Sequence, residues 1–158
     1  MSEINIFGVL GAGQMGSGIA QVAASAGWTV KLADASLDLA SRAKSKIGAG
    51  LQKLVEKGKL QAADVEATLA RIVPVGGIAD LADCDFVVEA ATENVELKLK
   101  LFRDLDAAVK AGAVLATNTS SISITKIAAA TKRPDKVVGL HFFNPVPVMK
   151  LVEVIRAL

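Results

Sequence analysis

Apolar positions along this chain follow two rhythms. Short, near-continuous apolar runs rich in β-branched residues occupy 4–10, 29–33, 86–90, 114–117 and 137–143. Runs of this kind are expected of parallel strands covered on both faces. Between them, apolar residues recur at helical spacing over 14–26, 37–57, 62–71, 95–110 and 123–131. Strand and helix in alternation predict a doubly wound α/β sheet. The exception is 37–71, where two helical segments meet around Gly58 before extended structure resumes at 72–75. This stretch is expected to form a helical hairpin projecting from the sheet.

A length of 158 residues fits one domain, here 1–158, with enough interior for a core. The balance of 18 Lys and Arg against 16 Asp and Glu gives a net charge of +2, too weak a field to hold nucleic acid. Residues 4–30 carry no charge, yet six glycines and several polar side chains interrupt them, so no membrane span is expected. Glu3 stands where a secretory leader needs basic residues, which points to the cytoplasm. With Cys84 the single cysteine and His141 the single histidine, neither a disulfide framework nor a zinc cluster can be assembled, and no metal is expected. The last residues, 154–158, directly follow an apolar run, the pattern of a truncated chain.

Gly11-Ala12-Gly13-Gln14-Met15-Gly16 matches G-x-G-x-x-G, following the first strand and opening the first helix. In that setting the turn lets backbone N–H groups and the helix N-terminus approach a pyrophosphate. A second strand then ends in Asp34, 18 residues past Gly16, near the spacing at which a carboxylate meets the adenosine ribose hydroxyls. Together these features predict a Rossmann-like, mostly parallel sheet binding a dinucleotide. The competing reading is a close-packed glycine cluster followed by an ordinary capping aspartate. A carboxylate at 34 would repel a 2′-phosphate, so NAD is favoured over NADP.

Ligands of open parallel sheets bind outside the carboxyl ends of the strands. Polar residues collect at those ends: Glu89 with Glu93 and Lys98 beyond it, then Asn118-Thr119-Ser120-Ser121, then His141. Ser121 or Ser123 could equally serve as a helix cap. The chain turns through Asn144-Pro145-Val146-Pro147 and returns over 151–155 with Glu153 inside an apolar run. A return centred near Pro147 would face Glu153 with His141, as a buried histidine–carboxylate pair in which the acid fixes the tautomer and raises basicity. Such a base beside a nicotinamide site suits alcohol oxidation. The absence of tyrosine removes a Tyr-x-x-x-Lys mechanism.

The run from His141 to Ile155 (H-F-F-N-P-V-P-V-M-K-L-V-E-V-I), together with Asn118-Thr119-Ser120-Ser121 and the glycine turn, resembles the NAD-binding domain of L-3-hydroxyacyl-CoA dehydrogenases, particularly the bacterial 3-hydroxybutyryl-CoA type. The resemblance implies reversible oxidation of (S)-3-hydroxyacyl-CoA to 3-ketoacyl-CoA in fatty-acid or butanoate metabolism. It implies His141 as base, Glu153 as its partner, and Ser120 and Asn144 beside the reacting groups. Gly11, Gly13, Gln14, Met15, Gly16, Asp34, Glu93, Lys98 and Asn118 would hold NAD. Residues 37–71 would meet coenzyme A, with Lys53, Lys57 and Lys59 as candidates for its phosphates. Family members continue into a helical domain that closes the cleft and makes a homodimer contact. That domain is expected to be absent here, leaving the chain weakly active or inactive alone. Two alternatives stand beside this reading: a non-catalytic NAD-binding module, and an S-adenosylmethionine methyltransferase, which also uses a glycine turn and an acid after the second strand.

Overall fold

The computed structural model describes residues 3–158. The elements in chain order are β1 (Ile6–Leu10), α1 (Gln14–Ser25), β2 (Thr29–Ala33), α2 (Leu37–Glu56), α3 (Ala62–Arg71), β3 (Ile72–Val75), β4 (Phe86–Glu89), α4 (Val95–Ala108), β5 (Val114–Thr117), α5 (Ile124–Ala129), β6 (Val137–Phe142) and β7 (Val152–Arg156). The strands form one sheet in the order β3-β2-β1-β4-β5-β6-β7, parallel except for the last pair. This is the Rossmann-like, doubly wound arrangement the alternating rhythms predict. The chain's direction across the sheet reverses at β1, so a crevice opens where the exits of β1 and β4 part.

Strand alternation sends successive side chains to opposite faces, and each face has its own core. Phe7, Val9, Val30, Leu32 and Val88 meet Ile19, Ala20 and Ala23 of α1 and Ile47, Leu51 and Val65 of α2 and α3. On the other face Leu10, Ala33, Val87 and Leu115 meet Phe102, Leu105 and Ile127 of α4 and α5. Each fully buried side chain of this size is worth about 1.5–3 kcal/mol. The 37–71 hairpin forms as expected, with Gly58 at φ +71° in the turn, but it does not project. Its apolar stripe packs into the core beside α1, and Arg71 donates to the Ala24 carbonyl at 3.0 Å.

Element ends shift for local reasons. β1 begins at Ile6 rather than residue 4 because the N–H groups of Asn5 and Ile6 both donate to the Asp85 carboxylate, at 2.8 and 2.9 Å. Arg133 bonds the Asp106 carboxylate and donates to the carbonyls of Asp106, Val109, Lys110 and Ala113, which ties together the last turn of α4 and the chain leading into β5. β7 is the sheet edge, and every residue in it is exposed. With Val148 and Leu151 it leaves an apolar strip open to solvent. Among the described residues no helix is long and apolar enough to cross a membrane.

Candidate functional site

The exits of β1, β2, β4, β5 and β6 bring the sequence-predicted residues to one edge, and the glycine turn is its centre. Gly11 has φ +109° and donates its N–H to the Ala33 carbonyl at 2.8 Å. A Cβ there would lie 2.7 Å from the Ala90 backbone, so the turn abuts the exit of β4. A Cβ at Gly16 would stand 1.7 Å from the Gly11 carbonyl oxygen, so this glycine sets how closely α1 meets β1. At Gly13 an added Cβ meets nothing within 4 Å among the described residues. Gly13 is the N-cap of α1, where no side chain caps the helix and no acid occupies the first turn. The N–H groups at Gln14, Met15 and Gly16 therefore begin a helix whose positive end suits an anion.

Asp34, half-buried at the exit of β2, accepts from the N–H of Ala12 at 2.7 Å and of Ala35 at 2.6 Å. The acid is thus tied to the glycine turn. An anion-ready helix end with a fixed carboxylate beside it suits a pyrophosphate flanked by a ribose diol, so the residues present fit NAD.

Beyond β1 the polar residues join in two layers. Below, Glu89 and Lys98 are 0% and 1% exposed, with Lys98 Nζ 2.7 Å from Glu89 Oε1 and Thr117 Oγ1 donating to the same oxygen at 2.9 Å. Above, exposed Glu93 accepts from Thr119 Oγ1 at 2.9 Å and Ser121 Oγ at 3.3 Å. Lys98, at helix position 4 of α4, points inward to its buried partner. The Asn118 side chain accepts from the Phe142 N–H at 2.8 Å, tying β5 to the His141 strand, while Ser120 stands exposed on the adjoining turn.

The antiparallel register places His141 opposite Glu153, as the 147-centred return predicts. Nδ1 lies 3.3 Å from Glu153 Oε2. The pair is not buried: the side chains are 24% and 51% exposed, because β7 is an uncovered edge. With Nδ1 engaged by Glu153, Nε2 is the nitrogen open to exchange a proton. Asn144 accepts from Gln14 Nε2 at 3.1 Å, linking the turn after β6 to the first turn of α1. Gly18 lies outside the motif, yet a Cβ there would come within 2.7 Å of Val146. It makes this contact possible, and no spacing rule singles it out.

A groove of about 450 Å³ runs from Ala12, Gly13 and Gln14 past Asn144–Pro147 to Lys46 of α2. Lys53, Lys57 and Lys59 are exposed further along the hairpin, outside that lining. Asp34, the glycine turn, Glu93, Asn118, His141 and Asn144 thus share one edge, whereas the three lysines stand apart from it.

The fold and this edge define a dinucleotide-binding domain that carries a histidine–carboxylate pair at its far side. The family description "3-hydroxyacyl-CoA dehydrogenase, NAD binding domain" matches residues 7–158, and the chain belongs to that family, with NAD as its cofactor. Membership sets aside the methyltransferase alternative. The chain is 53% identical over 150 residues, 95% of its length, to a probable 3-hydroxybutyryl-CoA dehydrogenase of Deinococcus radiodurans, covering 54% of that protein. It is 51% identical over its full length to the 3-hydroxyadipyl-CoA dehydrogenase of Escherichia coli K12, covering 33% of it. Against the crystal structure of (S)-3-hydroxybutyryl-CoA dehydrogenase PaaH1 from Ralstonia eutropha the TM-score is 0.95 at 47% identity, covering 99% of this chain and 55% of that one. The chain spans about half the length of most of the curated relatives it matches.

Proposed function

We propose that this chain is the NAD-binding and base-bearing part of an (S)-3-hydroxyacyl-CoA dehydrogenase. The observation that carries the reading is the His141–Glu153 pair standing at the edge defined by the glycine turn and Asp34. Bound NAD would supply the hydride acceptor for the C3 hydrogen. His141 Nε2 takes the hydroxyl proton as the C3–H bond breaks, and the ketone forms as the O–H electrons become the carbonyl π bond. Glu153 holds the Nδ1 side and stabilises the imidazolium that results. Ser120 and Asn144 flank the position the hydroxyl would occupy.

The hairpin supports coenzyme A as the carrier. Lys46 and Lys53 of α2 and Lys57 at its C-cap fall at i, i+7 and i+11, on one face that by the helical rise extends about 16 Å from the groove beside Asn144. Lys59 follows in the turn. Cations so spaced suit the separated phosphates of coenzyme A. A further helical domain closing the cleft, a homodimer contact within it, and residence in the cytoplasm belong to the same reading.

The test is hydride transfer from NADH to acetoacetyl-CoA, measured on this chain and on a longer protein that includes the relatives' second half. The longer protein is expected to turn over and this chain to bind NADH with little or no turnover. In the longer protein His141→Ala should lower kcat by about 10²- to 10⁴-fold with far smaller change in NADH affinity. Glu153→Gln should cost less. Full turnover in both variants, with hydride transfer rate-limiting, would make the pair structural.

A further inference from the structure

Glu89 and Lys98 are the two buried charges beneath the site, and the chemistry above does not use them. Removing two charges from water costs more than burying an apolar pair of the same volume would, so simple stability is a poor reason for them to be there. What Glu89 does that an apolar residue cannot is accept. Its Oε2 takes the N–H of Ala91 at 2.9 Å and of Thr92 at 3.3 Å, while Oε1 is occupied by Lys98 and Thr117.

These bonds close into a ring. Thr92 Oγ1 accepts from the Asn94 N–H at 3.0 Å, and Asn94 Oδ1 caps α4 through the Leu97 N–H at 2.9 Å. That helix then returns Lys98 to Glu89. The turn held this way carries Glu93, the acceptor for Thr119 and Ser121, and its first residues abut Gly11. In the sheet order it stands across β1 from Asp34, so it meets the dinucleotide's second half rather than its adenosine half.

We infer that Glu89 is a positioning residue for the cofactor, with Lys98 and Thr117 holding its other oxygen: it fixes the Ala91–Glu93 turn against which the nicotinamide half of NAD binds. The inference rests on the NAD-binding assignment above.

Two double variants of the 158-residue chain separate positioning from packing. Glu89→Leu with Lys98→Met replaces the ion pair by an apolar pair and removes the acceptor. Glu89→Gln with Lys98→Met removes both charges but keeps an oxygen for the two N–H groups and an amide for Thr117. NADH and ADP affinities are measured by calorimetry, and Ala91 and Thr92 amide exchange by NMR on the cofactor-free chain. The Leu/Met variant is expected to stay folded, to lose protection at both amides, and to bind NADH about tenfold more weakly with ADP changed less than about twofold. The Gln/Met variant is expected to recover the protection and to bind NADH severalfold more tightly than the Leu/Met variant, which lacks the same lysine. Parental NADH affinity in the Leu/Met variant, an equal loss for ADP and NADH, or failure of the Gln/Met variant to rescue would each overturn the inference. If the parent chain bound no NADH, the cofactor assignment would fail first, and unprotected Ala91 and Thr92 amides in that parent would overturn the positioning role separately.

Discussion

Replacing each of two glycines of the turn by alanine should separate packing from ligand approach. At Gly16 the new Cβ would sit 1.7 Å from the Gly11 carbonyl oxygen, against a shortest real contact near 3.0 Å, so α1 or the turn must yield by more than an ångström. The obstruction is backbone, and it is anchored, because the Gly11 N–H is bonded to Ala33 and the residue presses on Ala90. Moving α1 loosens Ile19, Ala20, Ala23 and Ala24, all buried against the sheet. Overpacking of this kind costs about 1–3 kcal/mol, and an immovable neighbour puts Gly16→Ala at roughly 3. For a chain of this size that is about 6–12 °C in Tm. At Gly13 nothing obstructs the Cβ, and φ −73° with ψ −166° is ordinary for alanine. A modest capping loss is offset by the stiffer unfolded chain, leaving Tm within about 2 °C. The same methyl, however, projects where a pyrophosphate would approach the helix end, so NADH affinity should fall by about tenfold or more. Differential scanning calorimetry and NADH titration on both variants read the two quantities. A Gly16→Ala chain melting with the parent, or a Gly13→Ala chain binding NADH as the parent does, would refute this division of labour.

Asp34→Ala should narrow the preference for NADH over NADPH, since it removes both the ribose acceptor and the charge opposing a 2′-phosphate; an unchanged ratio by calorimetry would take Asp34 out of that role. Asp85 is held down to about 2 by the Lys110 ammonium and by the N–H groups of Ile6 and Asn5. Its folded pKa lies below the unfolded value, so its stabilisation is present above about pH 4 and is lost as pH falls toward 2; Asp85→Asn should flatten the Tm profile in that window. Burial pushes the Cys84 thiol up to about 12, so a thiol reagent at pH 8 should label the folded chain far more slowly than the chain in denaturant.

How much of this was legible in sequence depended on the range of the signal. The glycine turn, Asp34 and the strand-helix alternation are local patterns, and they stand where they were read. The pairing of His141 with Glu153 was legible because a return through Asn144–Pro147 is short enough for arithmetic, but its exposure was not. An apolar run reads alike in the middle of a sheet and at its edge, and only the strand order shows β7 to be outermost. The burial of Lys98 against Glu89 was not legible for a related reason. Spacing puts Lys98 near the cofactor edge, while the direction of a helical side chain depends on how α4 rolls against the sheet. Gly18 and Thr117 gave no signal, since each acts on a residue distant in sequence, Val146 and Glu89 respectively.

The position of β1 between β2 and β4 also fixes an order of events during synthesis. Leu10 pairs with Ala33 on one side and with Glu89 on the other. The first partner is made almost at once. The second is added 79 residues later, roughly 4–16 s at ordinary elongation rates. During that interval β1, β2 and β3 can assemble under α1, α2 and α3, while Leu10 and Ala33 face outward with α4 not yet made. A nascent chain can thus complete the side of the sheet that carries Asp34 well before the side that carries His141, and in the interval one apolar sheet face stands bare.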